Sequence, residues 1–162
     1  MRAEAETAAV VERDAMAAGF VEKHAFEQFV FGPVAENKGQ ALIEAASAVV
    51  DGQATLLRQA VGNLVENAIK FSPEGAAVAV RLEPGAARVR LIVEDNGPGI
   101  PESDRAAALK PYERLGREGD GKGLGLALVA ACAKLHKGRL TLESASPGLR
   151  AVLDLPLRPV LP

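Results

Sequence analysis

The sequence predicts an α/β domain, and three stretches carry that expectation. Arg88–Glu94 is rich in valine, leucine and isoleucine with charged residues at its start, the composition of a strand buried beyond its first turn. Ala54–Phe71 repeats apolar residues at helical spacing, at Leu57, Ala60, Val61, Leu64, Val65 and Ala68, and Ser72-Pro73-Glu74-Gly75 ends the repeat. Gly121, Gly123 and Gly125 lead into an apolar run, Leu124 and Leu126–Ala130, whose good helix formers predict a second core helix reaching His136.

The other elements follow in chain order. Ala3–Ala18 is alanine-rich with scattered charges and predicts a helix that Gly19 interrupts. Glu22–Asn37 predicts another, broken near Gly32-Pro33, with Gly39 as a stop before a strand over Gln40–Ala46. Ala76–Glu83 and Ala87–Glu94 flank Pro84-Gly85 as the arms of a hairpin do. Ser103–Lys110 predicts a short helix within a lid, and Arg139–Ser144 with Leu149–Pro156 predicts a closing strand pair around Pro147-Gly148. The proline-rich tail Arg158–Pro162 is expected to fray. No internal repeat is evident, so residues 1–37 read as a helical extension or linker and residues 38–162 as one domain.

Composition narrows the function classes. The chain has 162 residues, 48% hydrophobic and 25% charged, enough for one core of ordinary size. A formal net charge of -2 provides no basic field, and 4% aromatics leave little for base stacking, which argues against nucleic acid as a partner. Cys132 is the only cysteine, so no internal disulfide forms and a reducing compartment fits; its plain role is that of a small buried residue. No apolar run approaches the ~18 residues needed to span a bilayer, and the start has no signal-peptide pattern. The chain is expected in the cytoplasm without membrane contact of its own, even if a longer parent were anchored. No histidine, cysteine and acidic residues fall at zinc-site spacing.

Two glycine-rich turns and one carboxylate carry the chemistry. Asp95 falls at the end of the strand, where a buried carboxylate accepts hydrogen bonds from a ligand amine. Gly97, Pro98 and Gly99 stop the strand, and the two glycines allow a close approach to a flat base. A glycine turn entering a helix, as Gly121-Lys122-Gly123-Leu124-Gly125-Leu126 does, offers free amide N–H groups and the positive end of the helix dipole to phosphates. The two halves together read as a nucleotide pocket with residues 100–120 as its lid. Asn63, Asn67 and Lys70 lie at i, i+4 and i+7 and so share one helix face. Asparagine costs roughly half a kcal/mol against alanine in a helix, and a merely solvated stripe would more naturally use lysine or glutamate. An amide oxygen can join phosphate oxygens and waters around magnesium, and Lys70 can neutralise phosphate charge.

These residues carry a family resemblance. Asn63-Leu64-Val65-Glu66-Asn67-Ala68-Ile69-Lys70-Phe71, then Asp95-Asn96-Gly97-Pro98-Gly99, then Pro111-Tyr112-Glu113-Arg114, then Gly121-Lys122-Gly123-Leu124-Gly125-Leu126 resemble the N, G1, F and G2 boxes of the catalytic and ATP-binding domain of bacterial sensor histidine kinases, in family order and spacing. The resemblance covers roughly residues 38–157. It implies the Bergerat-type ATP fold of the GHKL superfamily, a two-layer α/β sandwich in which helices pack on one face of a mixed sheet.

By the same resemblance, Asn67 is the magnesium ligand, Asn63 the polar residue one turn before it and Lys70 the phosphate-side lysine. Asp95 recognises the adenine amino group, and Gly97 and Gly99 frame the base and hinge the lid. Tyr112 takes the aromatic place of the F box and Arg114 the basic place that assists at the γ-phosphate. Gly121, Lys122, Gly123, Leu124, Gly125 and Leu126 form the turn that receives the phosphates. Glu113 departs from the family where an aromatic is commoner, and Lys137 stands between His136 and Gly138 where a glycine pair is usual.

The fold serves several reactions, so position 63 helps to choose among them. Hydrolases of this fold place a glutamate four residues before the magnesium asparagine, and anti-sigma serine kinases keep one there too. Asn63 cannot take a proton in that role, and Glu66 reads as a helix-surface charge. A neutral imidazole is already nucleophilic and needs less activation. Neither His24 nor His136 sits in the family's phosphoacceptor pattern, so the resemblance implies a phosphoacceptor histidine domain elsewhere, in cis or in trans, and a downstream response regulator. The chain reads as a cut-out domain or half of a split system, a protein-histidine kinase using ATP and Mg2+. A nucleotide-binding pseudokinase or regulatory module, and an anti-sigma serine kinase, stay open beside that reading.

Overall fold

In a computed structural model, which describes residues 20–21, 40–45, 48–112 and 123–158, the strand expected at Arg88–Glu94 forms with those limits. The elements in chain order are β1 (Phe20–Val21), β2 (Gln40–Ala45), β3 (Ala48–Val49), α1 (Ala54–Phe71), β4 (Ala77–Pro84), β5 (Arg88–Glu94), α2 (Glu102–Ala108), α3 (Gly125–Leu135), β6 (Arg139–Ser144) and β7 (Leu149–Pro156). Five strands make one sheet in the order β2-β4-β5-β7-β6. The β2–β4 pair is parallel and the other three pairs are antiparallel, so the sheet is mixed. β1 and β3 form a separate antiparallel pair.

Alternation along the strands decides which face is covered. Val78, Val80 and Leu82 of β4, Val89, Leu91 and Val93 of β5, Leu140 and Leu142 of β6, and Ala151, Leu153 and Leu155 of β7 are all buried. They share a core with the apolar stripe of α1 (Leu57, Ala60, Val61, Leu64, Val65, Ala68) and with Val129, Cys132 and Ala133 of α3. The two helices pack against each other and against the same face, which is the two-layer sandwich expected. Each fully buried valine or leucine contributes about 1.5–3 kcal/mol over its exposed state.

On the other face, Glu94 accepts from Arg81 Nη2 at 2.8 Å and from Arg150 Nε, and Arg150 reaches Glu143 at 3.6 Å. Burial pushes the Glu94 carboxyl up, but the hydrogen bonds and charges of Arg150 and Arg81 outweigh it and hold the group below its ordinary value. A depressed folded-state value means that the stabilisation is complete above the ordinary glutamate value of about 4.3 and is lost as pH falls through the lower folded value. Wild type and Glu94→Gln are therefore expected to differ in denaturation midpoint at neutral pH and to converge as pH falls through the lowered folded-state value. An equal gap at both ends of the titration would contradict the network.

His136, expected to meet the last carbonyls of its helix, does so. It is buried, with Nε2 accepting the Gln53 N–H at 3.0 Å and Nδ1 2.7 Å from the Cys132 carbonyl oxygen. An amide N–H can only donate, so Nε2 is the acceptor and Nδ1 carries the proton. Gly52 makes room for the ring, since a Cβ there would stand 2.2 Å from His136 Cδ2. The imidazole thus bolts the end of α3 to the entry of α1.

Some boundaries differ from expectation. β4 begins at Ala77 and runs through Pro84, β2 ends at Ala45, and α2 runs from Glu102, just after Pro101, to Ala108 rather than over Ser103–Lys110. α3 starts at Gly125 and ends at Leu135 with His136 as its cap. The β1–β3 pair was not expected, because two-residue strands carry no periodicity. The helices expected over Ala3–Ala18 and Glu22–Asn37 lie outside the described residues, as does the end of the tail beyond Arg158.

Candidate functional site

Asp95 leaves the central strand β5 directly into the loop of Gly97 and Gly99. It is only 7% exposed. A buried carboxylate is costly unless hydrogen-bonded, and here Oδ1 accepts the backbone N–H of Gly97 at 2.9 Å and of Leu149 at 3.0 Å. The Asp95 N–H in turn donates to the Leu149 carbonyl at 3.0 Å. Oδ1 is thereby committed to the fold, and Oδ2 accepts no hydrogen bond among the described residues.

That carboxylate lines a pocket of about 340 Å³ counting its open mouth, and its walls are Leu64, Asn67, Ala68, Phe71, Val93, Asp95, Ile100, Leu126, Leu149 and Ala151. Only Asn67 and Asp95 among them are polar. Apolar walls with two polar groups suit a flat ring that offers a donor at one edge.

The glycines around it are needed by the protein itself. A Cβ on Gly97 would stand 2.3 Å from the Phe71 carbonyl oxygen, and one on Gly99, at φ +71, would stand 2.9 Å from that of Gly148. Gly148, at φ +101, is tighter still: its Cβ would lie 1.9 Å from the Asp95 carbonyl oxygen and 2.8 Å from Oδ1. The loop is wedged between the end of α1 and the β6–β7 turn. The expected reason for Gly97 and Gly99, room for a ligand, is thus joined by a second one, room for neighbouring backbone. Gly148 and Leu149 were not singled out from sequence; the only signal was the turn dipeptide Pro147-Gly148.

The end of the pocket expected to receive phosphates is assembled from α1 and α3. A Cβ on Gly125 would lie 3.1 Å from Asn67 Nδ2 and 3.5 Å from its Oδ1, so the first residue of α3 abuts the Asn67 amide. The N-cap of α3 is Leu124, which makes no side-chain capping bond, so the positive end of the dipole has no side-chain cap from its own N-cap residue. Asn63, one turn earlier on α1, is half-buried, and its Nδ2 is buried without a hydrogen-bond partner among the described residues. Such an orphaned donor costs about 1–3 kcal/mol unless a ligand meets it. Lys70 is exposed, with Nζ 5.6 Å from the centre of the Phe71 ring; it is not part of the pocket wall.

Tyr112 and Gly123 flank residues 113–122, which lie outside the described residues and include part of the expected lid, 100–120. The Tyr112 N–H donates to the Gly123 carbonyl at 3.1 Å, and both residues have positive φ, 63° and 68°. Tyr112 and Gly123 are therefore neighbours in space. Tyr112 is 74% exposed and outside the pocket wall. Glu113, Arg114, Gly121 and Lys122 lie outside the described residues, and so does His24. Leu126 lines the pocket beside Asn67 and Asp95, so one residue from each of the three motifs meets there.

Among the described residues no three histidine, cysteine or acidic side chains cluster as a metal cage, and none of the helices is long and apolar enough to cross a membrane. The Asn67 amide oxygen is a hard donor of the kind that suits magnesium, which dehydrates reluctantly and takes few protein ligands when phosphates supply the others; the positive end of α3 beside it suits those phosphates.

Residues 52–159 match the family model of histidine kinase-, DNA gyrase B-, and HSP90-like ATPases. The chain is similar to the sensor protein BasS of Escherichia coli (strain K12), 41% identical over 113 residues, or 68% of this chain and 31% of that protein. It is 40% identical over 121 residues to the signal transduction histidine-protein kinase/phosphatase MprB of Mycobacterium sp. (strain KMS), covering 70% of this chain and 24% of that protein. It thus spans about a third or less of these relatives. A solved structure of a mycobacterial sensor histidine kinase, MprB, superposes with a TM-score of 0.77 at 30% identity, covering 83% of this chain and 95% of that one.

Proposed function

Because this chain belongs to the family of histidine kinase-, DNA gyrase B- and HSP90-like ATPases, and within it to the ATP-binding catalytic domains of sensor histidine kinases, we propose that it presents the γ-phosphate of magnesium-bound ATP to a histidine on a separate phosphoacceptor domain. The observation that carries this reading is the Asp95 carboxylate, held by two backbone amides in an apolar pocket that Asn67 also lines. In this reading Asp95 Oδ2 accepts the adenine amino group, and the apolar walls with Gly97 and Gly99 hold the ring. Asn67 holds magnesium, which would neutralise the phosphates and orient them. Gly121, Lys122, Gly123, Leu124, Gly125 and Leu126 cradle the phosphates at the start of α3, and Lys70, Arg114 and Tyr112 complete the site from the helix and the lid. Residues 38–162 would be the catalytic unit.

Asn63 supports transfer over hydrolysis. It stands where the hydrolases of this fold carry a glutamate, and an amide cannot take a proton from water. Catalysis would then rest on positioning and charge neutralisation. His136 does not suit the acceptor role, since both ring nitrogens are engaged in a buried bolt. A histidine domain and then a response regulator are the partners this implies, and we assign the work to the cytoplasm, where ATP is found and where Cys132 stays a free thiol.

The test is transfer from γ-labelled ATP to a supplied phosphoacceptor domain of the sensor-kinase type. Label in an acid-labile bond to its histidine is expected. Release of inorganic phosphate alone, or label on serine, would overturn the reading.

A further inference from the structure

We propose that Ser72 is a positioning residue for the nucleotide site, locking the loop of Asp95 to the helix of Asn67. The proposal rests on the nucleotide reading of the pocket. Ser72 is the C-cap of α1, with its N–H donating to the Ala68 carbonyl at 3.1 Å and its backbone turned to an extended conformation. Its hydroxyl oxygen accepts the Asn96 N–H at 3.2 Å. The Asn96 side chain then donates from Nδ2 to the Ala77 carbonyl at 2.6 Å, at the first residue of β4.

These bonds bear on the carboxylate through one peptide. Asn96 lies between Asp95 and Gly97; Gly97 donates to Asp95 Oδ1 at 2.9 Å and is itself pressed against the Phe71 carbonyl. The path from the end of α1 through Ser72, Asn96 and Gly97 to Asp95 is therefore continuous. Asn67 stands on α1 little more than a turn before its cap Ser72, and it lines the pocket together with Asp95. A ligand gripped at both ends is sensitive to the distance between grips, and a small misplacement has a large effect on binding. Ser72 fixes that distance from the helix side. Because Ser72 is half-buried and Asn96 exposed, water replaces a lost bond and the fold survives truncation.

The test compares Ser72→Ala and Ser72→Thr in the full chain, by calorimetry with a non-hydrolysable ATP analogue and magnesium and by amide hydrogen exchange. The alanine variant is expected to weaken binding about threefold to tenfold, the size of one hydrogen bond. Exchange should quicken at Asn96 and Gly97 while β5 and β7 keep their rates, and threonine should restore both readouts. Unchanged affinity, unchanged exchange at those two amides, exchange rising equally across the sheet, or failure of threonine to restore would each overturn the role. Absence of binding by the wild type would instead overturn the nucleotide reading, and this role with it.

Discussion

Replacing Gly148 with alanine is expected to lower stability by about 3 kcal/mol or more and to remove nucleotide binding along with it. At φ +101 the residue already occupies a region that L side chains rarely enter. The added Cβ would lie 1.9 Å from the Asp95 carbonyl oxygen, 2.7 Å from its carbon and 2.8 Å from Oδ1. Two of those atoms are backbone of the central strand's exit and the third is held by two amides, so no flexible side chain can yield. Either β7 shifts away and loses its pairing at Leu149, or Asp95 turns and loses both amides. A urea denaturation midpoint and an ATP-analogue titration on Gly148→Ala check this. Wild-type values in both would contradict the contact between the β6–β7 turn and Asp95.

Asp95→Asn should separate binding from folding. The asparagine Oδ1 can still accept from Gly97 and Leu149, so the loop keeps its anchors and stability changes little. The other atom becomes an NH2 group, which presents a donor to the ligand's donor and removes the charge that strengthened the bond. Affinity for an ATP analogue is expected to fall about a hundredfold, close to 3 kcal/mol. Alanine at the same position would instead strand two buried amides and lower stability as well. Binding of Asp95→Asn within about threefold of wild type would remove Asp95 from the base site, because one charged hydrogen bond is worth more than that.

The helix α1 and the strands β5, β6 and β7 were legible because each buries a regular face, at period 3.6 or 2, with turn residues at both ends. The sheet order was not legible from periodicity. Nothing in Gln40–Ala45 says that it runs parallel to β4, and β1 and β3 are too short to show a period. Asn67, Asp95 and Leu126, which line one pocket, could be singled out from the sequence because their motifs are local. Gly148, Leu149 and Ser72 were missed because their meaning lies in contacts across the chain: Leu149 reaches Asp95 over 54 residues, and Ser72 reaches Asn96 over 24. A turn glycine and a helix-ending serine look ordinary until the fold brings them to the carboxylate. Lys70 shows the opposite case, since its motif position is sound while its side chain lies exposed beside Phe71 instead of on the pocket wall.

The most direct measurement is a calorimetric titration of the wild-type chain with a non-hydrolysable ATP analogue, with and without magnesium. Saturable one-to-one binding that tightens with magnesium is expected, since on the proposed reading Asn67 would hold the ion beside the phosphates. No binding under either condition would contradict the pocket as a nucleotide site, and binding indifferent to magnesium would contradict Asn67 as its ligand.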